Sequence, residues 1–364
     1  MFIAHVAFLA SVSPLRQSGG LKLLGHWLGD PVILVSGATG RIGGNVVRML
    51  RQADADVRCL VRMGSEYFWL NDTGASYFFG DLREPQSLKR ALEGCEFVVH
   101  IAGLRLETTD NHHSVTTLQG TLNLIEAAKA EGVSRFVMVS CLGAGTGLPV
   151  AAFDCLAQAE GALQESGLPY TILRPAPLLD DLGALVREAA VGKSSVFWAK
   201  GEAKVQPVTA RDVAIYAMAC LDHPSTQDSI VPLCGQESTT AQSILREMES
   251  QAGCDDAGVQ TRSGWAASRT KSLALGRRWA NRIAEERALW DGDLCVDSSP
   301  WLEALGIPLQ SLEEGISSVL KEAHPSEDPV SRDTRVVHRQ FQATVYTPGE
   351  IHQSELPDGP LRLI

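Results

Sequence analysis

A run of aliphatic residues, Val32-Ile33-Leu34-Val35, ends at Ser36 and gives way to glycines at Gly37, Gly40 and Gly43. Behind the last glycine, Val46, Val47 and Leu50 continue an apolar pattern begun at Ile42, with helical spacing. Strand, tight turn and helix must therefore follow one another directly, and no other stretch constrains the fold as strongly. Gly37 lets the chain leave the strand at a backbone angle that a side chain would forbid. Gly40 leaves room for a pyrophosphate against the backbone, and Gly43 lets the helix lie close on the strand. The free amides and positive dipole end of that helix then face the phosphates. A glycine triplet alone also occurs in ordinary turns. The strand before it and the helix after it are the context that predicts a dinucleotide site.

From there, strand-like and helix-like segments alternate. Strands are expected at Asp56–Val61, Ser76–Phe79, residues 97–101, Arg135–Val139 and residues 170–173. Helices are expected at Pro85–Leu92, with Pro85 in the first turn, at 115–131 and at 153–166. Helices between strands imply right-handed crossovers, and so an α/β fold of Rossmann type with a doubly wound parallel sheet. After Pro175 the regularity fades. A strand at 205–208, a helix at 210–221, a strand at 230–233 and a helix at 240–251 suggest a smaller C-terminal α+β lobe. Residues 263–291 carry Trp265, Trp279, Trp290 and an arginine run from Arg269 to Arg287, and read as helical. Residues 301–321 read as a closing helical segment. The expected organisation is an N-terminal extension (1–30), a Rossmann domain with part of the lobe (31–253), a helical segment (254–322) and an irregular tail (323–364).

With 32 Lys and Arg against 43 Asp and Glu, the chain carries a net charge of -11 and no long basic run, which argues against nucleic acid as a partner. Its eight cysteines (59, 95, 141, 155, 220, 234, 254, 295) form no C-x-x-C pair. They read as buried thiols of a reducing compartment, cytoplasm or organelle matrix, and neither as a zinc site nor as a disulfide framework. The apolar stretch 2–12 is too short to span a bilayer, and no transmembrane segment is expected. The first thirty residues, with Arg16 and Lys22 but no acid before Asp30, are compatible with a presequence or a membrane-surface helix, and a loose extension is the plainer reading.

These motifs resemble the atypical (extended) short-chain dehydrogenase/reductase superfamily, and within it the NmrA-like NAD(P)H-binding branch. The resemblance rests on residues 37–43, Arg62 after the second strand, Gly80-Asp81-Leu82 after the third and Ala102-Gly103 after the fourth. It continues through Val137-Met138-Val139-Ser140, residues 166–175 ending in Arg174-Pro175, and residues 207–214. By this resemblance Gly37, Thr39, Gly40, Arg41, Ile42 and Gly43 hold the pyrophosphate, Asp81 and Leu82 lie against the adenine, and Ala102 and Gly103 line the nicotinamide ribose. Ser140 and Pro175 complete the expected cofactor set. An NAD-selective site places an acid after the second strand. Here Arg58 and Arg62 stand there instead, so NADP(H) is favoured over NAD(H), with Arg62 the better partner for a 2′-phosphate and Arg58 expected on a solvated face.

The Y-x-x-x-K pair that moves the proton in working members of the superfamily falls on Ala152 and Leu156, both apolar. Ser140 and His113, the latter in Asn111-His112-His113, are the remaining candidate catalytic residues. A cofactor contact or a cap for Ser140, and a polar loop surface for the histidines, are the plainer roles. Metal ligation by His112 and His113 lacks further ligands at suitable spacing. Tyr67-Phe68-Trp69 and the later tryptophans fit core packing or a substrate pocket. The arginine run suits a partner protein, a membrane-associated complex or a solvated face.

Two functions follow. In one, bound NADPH serves structurally or as a redox sensor while the surface binds a partner, as in accessory and assembly proteins of this branch in respiratory complex I and photosystems. In the other, the protein is an NADPH-dependent reductase of a small hydrophobic carbonyl, enone or quinone. A nucleotide-sugar epimerase or dehydratase is a more distant third, because such enzymes depend on the missing pair.

Overall fold

The computed structural model describes residues 31–101, 103–104, 107, 111–254, 258–262, 277–322 and 350–351. Residues 1–30, most of the tail from 323, Ala102, Trp265 and Arg269 lie outside this set, as do the roles expected of them.

The apolar run becomes β1 (Val32–Ser36), with all but its first residue buried. Helix α1 (Arg41–Gln52) follows the glycine turn, then β2 (Asp56–Val61), a 3-10 turn at Phe68–Thr73, β3 (Ser76–Phe79) and α2 (Pro85–Leu92). Strand β4 (Cys95–His100) leads through a π-helical turn at Ser114–Gln119 into α3 (Gly120–Glu131), then β5 (Arg135–Val139), α4 (Ala151–Glu165) and β6 (Tyr170–Pro175). Beyond it come α5 (Leu179–Ala190), the short strands β7 (Val196–Phe197) and β8 (Lys204–Val205), α6 (Ala210–Ala219) and β9 (Ser229–Leu233). The remainder comprises β10 (Thr239–Thr240), α7 (Ala241–Ala252), β11 (Gln260–Thr261), α8 (Arg277–Trp290), α9 (Ser299–Leu305), α10 (Leu312–Lys321) and β12 (Glu350–Ile351).

The main sheet runs β12-β3-β2-β1-β4-β5-β6-β9, parallel throughout except for β12, which pairs antiparallel with β3. Alternate strand residues feed two apolar layers. Ile33, Val35, Val57 and Cys59 face α1 and α6 with Val46, Val47 and Val213, while Leu34, Leu60 and Val98 face α2, α3 and α4 with Leu88, Leu124 and Ala159. A third cluster, with Leu182, Val186, Ile244, Met248, Ile316 and Val319, forms the smaller lobe from α5, α7 and α10. Each large side chain fully buried there contributes roughly 1.5–3 kcal/mol.

The segment at 230–233, expected in the small lobe, is strand β9 of the main sheet, with Leu173 beside Val231. Helix α6, expected in the same lobe, packs against α1 in the main core. The long excursion between β6 and β9 hides this crossover, because a buried strand has the same apolar run in either lobe. Residues 301–321 form two helices, divided at Gly306, which takes a left-handed φ of 61°.

Two buried polar devices tie the layers together. Glu160 on α4 is 2% exposed and pairs with Arg174 on β6, whose Nε donates at 3.1 Å to one carboxylate oxygen and whose Nη2 also donates to the carboxylate. Removing one partner of such a pair strands the other charge. Glu160→Ala should therefore lower unfolding free energy by about 3–5 kcal/mol in urea denaturation, and pairing it with Arg174→Met should recover part of the loss.

The second is His100 at the end of β4. Its Nδ1 meets Ser36 Oγ at 2.6 Å and its Nε2 meets Thr121 Oγ1 at 2.8 Å, joining β1, β4 and α3 beside the glycine turn. Burial pushes its pKa down from 6.5 to about 4, so the folded protein holds the imidazole neutral. Between those values the unfolded chain binds the extra proton. The stability from this group is complete above about pH 6.5 and is lost as pH falls toward about 4. The loss is on the order of 3 kcal/mol. Urea midpoints across this window should fall with acid in the parent protein, and a His100→Asn variant should show a flatter profile.

Candidate nucleotide-binding site

Gly37 leaves β1 with φ 74°, a conformation that strains any L side chain. A Cβ on Gly43 would sit 2.1 Å from the Gly37 carbonyl oxygen, so α1 reaches this close to the turn only because Gly43 is bare. The adjacent Gly44 has the same requirement for a different reason, since the Trp69 ring fills the space its Cβ would occupy. Arg48 in turn lies over that ring, 5.5 Å from its centre. The N-cap of α1 is Gly40, no side chain caps the helix, and its first turn holds no acid. Its amides and dipole are arranged for an anion.

The loops after β1, β4, β5 and β6 meet at the carboxyl edge of the sheet, where the strand order reverses between β1 and β4. Ser140 follows β5 with its amide held by the Leu173 carbonyl at 2.7 Å. It is 8% exposed, and its Oγ finds no hydrogen-bond partner among the described residues. A buried hydroxyl in that condition fits a ligand atom supplied from outside the chain. Pro175 ends β6, and its carbonyl accepts from Leu142 at 3.1 Å.

Arg62 follows β2 as an exposed side chain. Asp81, after β3, pairs with Arg83 at 2.6 Å. Burial opposes its ionisation, but the Arg83 hydrogen bonds and the charges of Arg83 and Arg62 outweigh it and hold the carboxyl below its ordinary value. Leu82 is buried beside Gly120. Arg58, expected on a solvated face, is instead partly buried, with Nη1 donating to the Ala91 and Glu93 carbonyls at 2.8 Å each. It closes the end of α2 and takes no part in the cleft. Tyr67 packs in the core against Tyr77 and Phe79, while Phe68 stays 39% exposed.

His113 departs from the expected loop surface. It is 5% exposed, with Nδ1 3.2 Å from Thr117 Oγ1 in the π-helical turn. Its backbone amide donates at 3.1 Å to Glu107 Oε1, and Asn281 of α8 donates at 2.6 Å to Glu107 Oε2. Burial lowers the His113 pKa against the raising effect of Glu107, so the imidazole is neutral at pH 7. For Glu107, burial raises the pKa, but the two donors and the nearby imidazoles outweigh it and the group stays ionised. His112, by contrast, keeps 47% of its side chain exposed. Among the described residues no group of acids, histidines or cysteines is arranged to hold a metal ion.

The catalytic pair is replaced by packing. Ala152 is 5% exposed in a small apolar cluster with Val150 and Phe153, and Leu156 packs on the core beneath α4. Helix α8 contributes Ala288 and Leu289 to that cluster. Two residues of its arginine run turn inward. Arg287 Nε donates to the Trp198 carbonyl at 3.0 Å, and Arg282 lies 3.6 Å from Glu285 and near Asp181. Asp181 itself pairs with Arg41 at 2.6 Å. Sequence reasoning missed Asp181, Glu107 and Asn281. The acid pair after Pro175 was a visible signal for Asp181, whereas nothing local marks Asn281.

Comparison with known proteins agrees with this geometry. The profile of the family described as NAD(P)H-binding matches residues 37–224. An NAD(P)H azoreductase from Xenophilus azovorans is 32% identical over 222 residues, covering 61% of this chain and 74% of the relative. The photosystem II assembly factor Ycf39 of Guillardia theta is 30% identical over 224 residues, covering 61% of this chain and 70% of the relative. An NADPH-dependent quinone oxidoreductase of Escherichia coli, solved with NADPH, shares the fold at TM-score 0.64 and 23% identity, over 79% of this chain and 99% of that one. The glycine turn, the sheet order and the profile match together show that the chain belongs to the NAD(P)H-binding, NmrA-like branch of the atypical short-chain dehydrogenases.

Proposed function

We propose that the protein holds NADPH as a structural or redox-reporting nucleotide while its surface engages a partner protein or a membrane-associated complex. The observation that carries this reading is the apolar Ala152 and Leu156 where the proton-moving pair would stand, with Ala152 packed beneath α8. Assembly factors among the relatives support the partner half of it. The eight cysteines, none of them in a disulfide, suit a reducing compartment. No helix among the described residues is long and apolar enough to cross a membrane.

Within this reading, the uncapped amides of α1 and the turn from Gly37 to Gly43, with Thr39 and Ile42, would hold the pyrophosphate, and Arg41 would exchange its bond to Asp181 for the phosphates. Arg62 would meet the 2′-phosphate, Asp81 and Leu82 the adenine, and Gly103, Ser140 and Pro175 the nicotinamide end. Ala102 completes this set from the sequence alone. The nucleotide supplies hydride when bound, and these residues position it.

A second reading, an NADPH-dependent reductase of a hydrophobic quinone, enone or azo compound, is favoured by the azoreductase relative. Hydride transfer to an activated acceptor needs positioning more than a dedicated acid. His113 is buried and neutral, so water is the better proton source.

Fluorescence titration should give tighter binding of NADPH than of NADH. A hydrogen bond to a charged group contributes about 1.5–3 kcal/mol, so Arg62→Ser should weaken NADPH about 10–100-fold and leave NADH nearly unchanged. Equal affinities in the parent protein would refute the NADPH preference. Gly43→Ala should abolish binding of both nucleotides, because its Cβ would displace the turn. Bound NADPH should persist when duroquinone is added, and rapid oxidation would move the assignment to the reductase.

A further inference from the structure

Helix α8 touches the carboxyl edge of the sheet at several places. Asn281 holds Glu107 in the segment after β4, and Arg282 lies near Asp181 at the start of α5. Ala288 and Leu289 pack on the floor made by Val150, Ala152 and Phe153 at the start of α4, beside Cys141 after β5. The far end is fixed in the lobe, where Glu286 accepts from the Trp198 amide at 2.7 Å and Trp290 meets the Phe197 ring edge-on at 6.1 Å. The described side chains of this helix are all at least partly buried. It therefore lies as a bar across the loops that in open α/β sheets receive the ligand.

The floor under Ala288 and Leu289 is apolar and carries one aromatic ring. A floor of that kind, beside the nicotinamide end, suits a flat hydrophobic acceptor. We propose that this floor is a binding site for a quinone-like ring, and that Ala288 and Leu289 of the chain's own α8 occupy it in the resting protein. The site as an acceptor site rests on the nucleotide reading above, whereas its blockage by α8 stands on the packing alone. With the helix lifted, the floor would seat the ring beside the nicotinamide end, where a bound NADPH would supply the hydride and water the proton, giving hydroquinone and NADP⁺. With the helix down, the ring has no floor to lie on, and the bound nucleotide keeps its hydride.

The thiol of Cys141 reports the position of α8 without any nucleotide. It is partly buried against the cluster, where burial pushes its pKa up to about 12, while Cys295 is exposed. In a Cys295→Ser background, labelling of Cys141 by a maleimide, located by mass spectrometry, should be slow in the parent. Leu289→Ala, and separately Asn281→Ala, should speed it at least tenfold. Duroquinone, whose ring has no open position for thiol addition, should slow labelling of the opened variants and leave the parent unaffected. With NADPH bound, the same variants should oxidise it with duroquinone at least tenfold faster than the parent. Unchanged labelling in both variants would overturn the blockage, and faster labelling without protection by duroquinone would overturn the ring site. Should Leu289→Ala fail to fold, Asn281→Ala alone decides, because it removes an anchor and no core side chain. Failure of the parent to bind NADPH, with gating and protection intact, would remove the nucleotide reading and the acceptor role with it, and leave the ring site and its blockage by α8 standing.

Discussion

Everything at the carboxyl edge of the sheet depends on the approach of α1 to the turn that leaves β1. A Cβ at Gly43 would lie 2.1 Å from the Gly37 oxygen, so the contact admits no side chain at all. That closeness leaves the uncapped amides of α1 facing the turn, and it sets the position of Arg41 against Asp181. The turn is locked from below as well. Ser36, the last residue of β1, is hydrogen-bonded to His100, which also reaches Thr121 on α3. Strand ends and helix start thus form one polar knot within an apolar sheet, and a buried network of this kind rigidifies when every member is satisfied.

The absence of the tyrosine and lysine is more than a deletion. Ala152 and Phe153 form a packing surface on which α8 rests, so the position expected for the tyrosine belongs to a hydrophobic cluster. An exposed face of that composition would be costly in water, and covering it with Ala288 and Leu289 contributes to the hold of α8 on the core. The inward arginines follow from the same geometry. Once α8 lies in the cleft, charges at Arg282 and Arg287 need partners, and Glu285 and the Trp198 carbonyl provide them.

Much of the fold was legible because the chain uses local rules consistently. The bounds expected for β2, β3, β5 and α2, with Pro85 in the first turn of α2, match the structure, and those of β4, α4 and β6 differ by one or two residues at their ends. Long-range placement was less legible. Nothing near Ile230 or Val231 says that this strand returns to pair with β6 after the excursion through α5 and α6. The glycine turn was readable since its constraint is local steric exclusion. Arg58 was not, because its fate depends on the carbonyls that end α2, brought to it only by folding. The same holds for Asn281 and Glu107, 174 positions apart in sequence. His113 looked like loop surface because histidine is polar, yet the π-helical turn draws it inward to Thr117.

These placements bear on how a chain built on an oxidoreductase fold can serve as a nucleotide holder. Hydride transfer requires an acceptor over the nicotinamide face, and it needs no covalent help from the protein. Losing the proton relay alone would therefore leave an activated acceptor still reducible by bound NADPH. A stronger barrier is to remove the acceptor's seat, since without proximity the reaction reverts to a bimolecular encounter and loses its effective-concentration advantage. Helix α8 on the Ala152 and Phe153 floor would do this with apolar contacts and an anchor through Asn281, forces small enough that a docking partner or a competing ring could reverse them. In the arrangement proposed, holder and reductase would be two positions of one helix.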